Sequence, residues 1–197
     1  MDDISDRVKL RELEILSDNH YTLRNAHFDY RRRDGTWQAQ SRESYDPGGD
    51  GAAVLPLDRA RGLVLLIRQF RWPAFENGWR QLVIEAPAGK LDGDDPETCV
   101  TKEAMEEAGV RIFSMRRLFH CFMSPGAVKE RLSLFLADYD SREPRAKGGG
   151  HAEEGEDIDV LEIALDEAMA MAERGEIVDA KTILLLQYAK LNGLLDR

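Results

Sequence analysis

The sequence runs to 197 residues, 43% hydrophobic and 32% charged, room for one domain with a core, or for one domain and a small appendage. Its 37 acids outweigh 27 bases for a formal net charge of −10. A broad nucleic-acid interface is therefore not expected, whereas a small anion held by a few Arg or Lys residues and a metal ion is compatible with the balance.

No apolar stretch approaches bilayer-spanning length, and the opening MDDISDRVKLREL is not built like a signal peptide. The two cysteines, Cys99 and Cys121, make no disulfide framework. The expectation is a cytoplasmic protein with no membrane partner. Residues 7 to 45 alternate apolar and polar positions around an Asp34-Gly35 turn and predict a hairpin-rich section. Asp46-Pro47-Gly48-Gly49 closes it, so the chain is expected to divide into an N-terminal β sub-domain, 1–47, and a main domain, 48–197. AAVLP and GLVLLIRQF flank Asp58 to Arg61 as a second hairpin, and QLVIEAPAG is a strand running into a loop at Pro87. A helix is expected over 96–108, with Pro in its first turn and Gly109 at its stop. MRRLFHCFM and RLSLFLADYD read as strands around Ser124-Pro125-Gly126. Residues 141–156 are polar, contain Gly148-Gly149-Gly150, and predict a mobile loop. Two helices close the chain: LDEAMAMAERG, ending at Gly175, and AKTILLLQYAKL, capped by Asp179. The mixture predicts an α/β or α+β domain with mixed strand pairing.

Chemistry concentrates in residues 88–110, AGKLDGDDPETCVTKEAMEEAGV, which hold seven acids. Glu103 and Glu107 share one helical face, with Glu106 one turn from Glu103. Like charges at that spacing repel, and acids near a helix C-terminus oppose its dipole. A solvated acidic face would tolerate this; a divalent cation with oxygen ligands would compensate it.

The stretch resembles the Nudix box: Gly, five residues, Glu, seven residues, then Arg-Glu-apolar-x-Glu-Glu-x-Gly-apolar. Lys102-Glu103-Ala104-Met105-Glu106-Glu107-Ala108-Gly109-Val110 matches the second half with Lys for Arg, and Gly89 matches the opening glycine after Ala86-Pro87-Ala88. The first half is one residue short, and only Asp94 or Asp95 stands for the first glutamate. The resemblance implies an α/β/α sandwich with a mixed sheet, its box forming loop–helix–loop. It implies Mg²⁺, with Mn²⁺ as alternative, held by Glu103 and Glu107 with Glu106 in support and the Ala88 carbonyl as a backbone ligand. Such cations polarise a diphosphate and acidify a bound water. Lys102 either orients Glu106 or a loop carbonyl, or is a surface lysine.

Beyond the box, ILSDNHYTL (15 to 23), RESYD (42 to 46), LIRQFR (66 to 71), MSPG (123 to 126), the glycine triplet and GEIVDAKTILLL (175 to 186) resemble the branch that hydrolyses nucleoside diphosphate sugars. That branch comprises the GDP-mannose pyrophosphatases, formerly grouped with ADP-ribose pyrophosphatases; the shortened box is one of its marks. It implies hydrolysis of GDP-mannose to GMP and mannose 1-phosphate, with ADP-ribose as the alternative substrate. The rival of another class, a non-catalytic Nudix-fold nucleotide sensor, is disfavoured by the intact glutamates. The resemblance sets His20, Ser41, Arg42, Glu43, Arg71, Glu130 and Lys181 against substrate, together with Ala88, Gly89 and Lys90 at the box opening. Arg42 and Arg71 suit a diphosphate because a guanidinium grips two oxygens at once. Stacking on the base falls to His20 or to Tyr21. A late loop supplies a base or further metal ligand, for which Glu153, Glu154, Glu156 and Asp157 are available and Glu156 is favoured; Glu106, Glu107 and Glu156 thus form the expected catalytic set. The branch also implies a homodimer whose N-terminal hairpins cross to the partner, so that Ser41, Arg42 and Glu43 serve the partner's site.

Overall fold

The structure, a computed structural model, describes residues 3–195. The chain forms two compact units, Met1–Asp50 with Phe122–Arg131, and Gly51–Cys121 with Leu132–Arg197.

The first unit is an antiparallel sheet of β1 (Val8–Asp18), β2 (Thr22–Arg31) and β3 (Trp37–Asp46), in that order. The β2–β3 turn forms where Asp34-Gly35 predicts it: Gly35 takes a φ of 86°, and the Thr36 amide donates to Asp34 at 3.0 Å. Residues 122–131 join this unit through Tyr45, whose amide donates to the Ala127 carbonyl at 2.8 Å and whose carbonyl accepts from the Lys129 amide at 3.0 Å. Along β1 almost every residue is exposed, and Asp46 alone is buried in the three strands.

The second unit is built on a seven-stranded mixed sheet. Its order is β10 (Asp159–Ala164), β5 (Leu63–Gln69), β4 (Gly51–Asp58), β9 (Arg131–Asp138) and β8 (Phe113–Phe122). Short β6 (Val83–Glu85) pairs with β5, and β7 (Ala88–Lys90) with β4. The β4–β9 pair is parallel, while β5 runs antiparallel to β4, β6 and β10. The mixed α/β architecture is the one expected. All of β4 is buried, which requires cover on both faces of the sheet. One face is covered by α2 (Pro96–Glu106), whose Cys99, Val100 and Ala104 share a core with Ala52, Val54, Leu65, Ile67 and Phe135. Alternation turns Ala53, Leu55 and Leu57 to the other side, and α4 (Ala180–Leu191), itself packed on α3 (Leu165–Glu173), also contacts β4.

The caps follow the sequence. Asp95 accepts from the Thr98 amide at the start of α2, Asp179 from the Thr182 amide at the start of α4, both at 3.0 Å. Three α or β elements were not anticipated, α1 (Trp72–Glu76), β7 and β10, nor were the short 3₁₀ turns Ser5–Arg7 and Ala152–Glu154. Among the described residues no helix is long and apolar enough to cross a membrane.

Candidate active site

The site starts where β7 lies beside the end of α2. Gly89 has no side chain for a direct reason: a Cβ there would overlap the Glu103 carboxylate. One residue earlier the Ala88 amide donates to Glu107 Oε2 at 3.0 Å. Glu107 is 2% exposed. Burial first, and then the charge of Glu103, push its carboxyl up to about 8, against the pull of the Ala88 amide. Glu106, on the adjoining face, keeps 43% of its side chain in solvent and stands 3.3 Å from His151 Nε2.

The segment after β9 closes over the helix end. It is free of strand and α-helix, as a loop should be, but it is tethered. The Gly149 amide donates to the Glu107 carbonyl at 2.8 Å, Gly150 to Glu106 at 3.0 Å, and Ala146 to Gly109 at 2.9 Å. These bonds satisfy carbonyls a helix terminus leaves open. Glycine is needed because a Cβ at 148 would stand 3.0 Å from the Ala108 and Gly109 backbone, and φ there is 56°. The strap delivers Glu156, whose Oε2 accepts from the His151 amide at 2.8 Å. Glu103, Glu106, Glu156, His151, Lys90 and Asp94 then line a cleft of about 330 Å³. Lys102 pairs with Asp94 and not with Glu106, and Asp95 serves as the helix cap.

Among the described residues, no three His, Cys, Asp or Glu side chains are gathered into a ready metal cage. The cleft offers a hard oxygen donor set on one wall, and Glu107, buried off its lining, adds a carboxylate that feels the charge of Glu103. That is a surplus of negative charge for which a divalent cation is the fitting counter-ion.

Next to the acids lies a second charged group. Arg71, following β5, donates Nε to Glu85 Oε1 at 2.7 Å; Lys181, on α4, donates to Glu85 Oε2 at 2.7 Å and to Asp179 Oδ1 at 3.0 Å. Burial works against the charge on Glu85, but Lys181 and Arg71 outweigh it and hold the carboxyl below its usual range. The charges of Glu107 and Glu156 also act on Arg71.

The second unit thus brings Arg71, Ala88, Gly89, Lys90, Glu103, Glu106, Glu107, Glu156 and Lys181 into one body. The first unit carries His20, Ser41, Arg42, Glu43 and Glu130. There His20 packs edge-on to Tyr21 with ring centroids 4.3 Å apart, and Ser41 donates to Asn25 Oδ1 at 2.7 Å. Arg42 donates to the Ser41 carbonyl at 2.7 Å, and Glu43 lies opposite Asn25 on β2. Of the loop acids, Glu153 is exposed in a 3₁₀ turn, Asp157 is exposed, and the side chain of Glu154 lies outside the described ones. Two residues of interest escaped the sequence: Glu85, signalled only by an acid inside an apolar strand, and His151, signalled only by following three glycines.

Residues 48–186 match the NUDIX domain family, well over half of the chain. The chain belongs to the Nudix family. Residues 7–45 match a second family, described as the GDP-mannose pyrophosphatase NudK N-terminal domain. Among similar proteins, the GDP-mannose pyrophosphatase of Cronobacter sakazakii is 45% identical over 190 residues, covering 96% of this chain and 98% of that one. Those of Salmonella arizonae and Escherichia coli O157:H7 are 43% identical, covering 98% of this chain and 100% of theirs. Nudix hydrolases work with divalent cations, in accord with the acidic wall.

Proposed function

We propose that the protein hydrolyses GDP-mannose to GMP and mannose 1-phosphate, with Mg²⁺ as its working cation, in the reducing cytoplasm. The observation that carries this function is the end-to-end match, through both units, to proteins named GDP-mannose pyrophosphatase. A bound divalent cation polarises the diphosphate and acidifies a water. Glu103 and Glu107, with the Ala88 carbonyl and Glu156, would hold it, and Glu106 would support them. Arg71 grips the diphosphate oxygens, while Gly89 and Lys90 border the substrate. Glu156, carried by the strap, takes a proton from the attacking water or adds a ligand. The absence of a side chain at Gly89 lets Glu103 lie against the β7 backbone, so substrate and carboxylates share one wall.

The protein acts as a homodimer in which residues 1–47 serve the partner's site through Ser41, Arg42 and Glu43, while His20 and Glu130 also meet substrate. Support comes from β1, where Leu10 is 62% and Ile15 59% exposed; a three-stranded ribbon so open on its own would be marginal.

Purified protein with Mg²⁺, offered GDP-mannose and ADP-ribose separately, tests the reaction. GMP released faster than AMP is expected. Release of AMP alone would transfer the assignment to ADP-ribose, and release of neither would end it.

A further inference from the structure

Around Glu85 the hydrogen bonds form a closed chain between β6 and the start of α4. The Ala86 amide donates to Thr182 Oγ1 at 2.7 Å, and that hydroxyl donates to Asp179 Oδ2 at 2.5 Å. Asp179 Oδ1 accepts from Lys181, Lys181 donates to Glu85 Oε2, and Glu85 Oε1 accepts from Arg71 Nε. Two cations and two anions balance, so the group is neutral without any bound molecule. Glu85 is 4% and Lys181 11% exposed at the side chain, but Arg71 is 42% exposed. Among the described residues, Glu85 is the only hydrogen-bond partner of the Arg71 side chain. The guanidinium is held at Nε, its two terminal amino groups make no hydrogen bond among the described residues, and the charges of Glu107 and Glu156 act on it.

We infer that Glu85 is a positioning residue: it grips Arg71 at Nε and so presents the two terminal amino groups as a fork to the substrate diphosphate. Lys181, expected against substrate, instead gives its ammonium to Glu85 and Asp179, and so acts through Glu85. The inference rests on the role proposed above for Arg71. Its physical basis is twofold. A guanidinium fixed at one edge loses less freedom when it binds two oxygens with the other. Without Glu85, Arg71 would be drawn toward Glu107 and Glu156, where the cation is needed.

A double-mutant cycle on kcat/KM with GDP-mannose and Mg²⁺ tests this. Arg71→Ala should lose about a hundredfold, as for removal of one fixed donor at a reacting group. Glu85→Gln should lose roughly ten- to a hundredfold, the scale of a misplaced positioning group. The combined variant should be no worse than Arg71→Ala, because both remove one device. Multiplying losses, a parent-like Glu85→Gln or a parent-like Arg71→Ala each overturn the inference. If Glu85→Gln melts early, Glu85→Gln/Lys181→Met removes one charge of each sign and enters the cycle in its place.

A second readout needs no turnover. In metal-free ¹⁵N-labelled protein, Arg71 Nε–H should give a slowly exchanging signal, absent in Arg71→Ala and unprotected in Glu85→Gln. A parent protein without that signal overturns the inference. If GDP-mannose is not hydrolysed but the signal behaves as expected, the proposed reaction falls and the Glu85 grip on Arg71 stands.

Discussion

Two buried carboxylates in one unit meet opposite fates. Glu85 gives one oxygen to Arg71 and the other to Lys181, and its charge is balanced within the protein. Glu107, buried equally deeply, has one backbone amide on its Oε2 and a second carboxylate as neighbour. An ion pair with all its hydrogen bonds made can be held permanently; an uncompensated buried charge is strongly unfavourable. The first pocket is therefore finished without substrate, and the second is finished only by a cation. Family resemblance located the second because repelling glutamates leave a pattern on one helix. In the first it named Arg71 and Lys181 but not Glu85, which joins them across as many as 96 positions of chain.

The largest expected effect breaks the unfinished pocket. Glu107→Gln keeps the size and the helix but removes a ligand charge, and turnover should fall by about a hundredfold or more. Above about pH 8, where Glu107 is ionised in the metal-free fold, the variant should melt no earlier than the parent, since a like-charge contact disappears. Near-parental turnover at saturating Mg²⁺ would remove Glu107 from the cation site.

A second experiment asks whether the unfinished pocket draws on the partner chain. Arg42→Ala and Glu107→Gln proteins, each inactive, are unfolded together and refolded. If Arg42 serves the partner's site, each mixed dimer holds one site spoiled twice and one intact. Random pairing makes about half the dimers mixed, so about a quarter of parental activity should return. Mixed dimers seen by tagged pull-down but without activity would keep Arg42 in its own subunit's site, or out of any.

The strap provides a smaller effect. Gly148→Ala forces a side chain against the Ala108–Gly109 backbone at a positive φ. A cost of about 2 kcal/mol is expected, roughly 4–8 °C in Tm, with a several-fold loss of turnover as Glu156 shifts. Gly126→Ala, where a Cβ meets nothing within 4 Å and φ is not positive, is the control. Equal melting of the two variants would mean that the strap does not bear on the helix end.

Local chemistry explains what could be read beforehand. Asp95-Pro96 and Gly109 bracket α2, Asp34-Gly35 makes the first-unit hairpin, and Asp179 caps α4, each within a few residues of the feature it governs. α1 has five residues and β7 three, too short for any period to show. β10 is half-buried without alternation and follows an acidic loop, so its residues read as more of that loop. The polar stretch 141–156 was legible as loop, but not its tethers, because glycines donating backbone amides carry no side-chain signal. Lys102 illustrates the same limit: its partner Asp94 lies eight positions away, across a turn whose path the sequence does not specify.

An effect on stability alone sharpens the contrast between the carboxylates, because their pKa shifts have opposite signs. Glu85 is held below its ordinary value, so its contribution is present above about pH 4.5 and is lost as acid protonates it in the fold. Glu107 is pushed from 4.5 up to about 8, so the folded, metal-free protein binds a proton that the unfolded chain has released. Its contribution is full below pH 4.5 and is lost as pH rises toward 8. Metal-free parent protein should therefore lose on the order of 2 kcal/mol between about pH 6 and 8, roughly 4–8 °C in Tm, relative to Glu107→Gln over the same range. Mg²⁺ should abolish that difference, because a bound cation stabilises the ionised carboxylate directly. Glu85→Gln should instead diverge from the parent only on the acid side, near and below the ordinary carboxylate range. Parallel Tm curves for parent and Glu107→Gln in chelator would mean that Glu107 already has a counter-charge in the metal-free fold, and the two pockets would no longer be opposites.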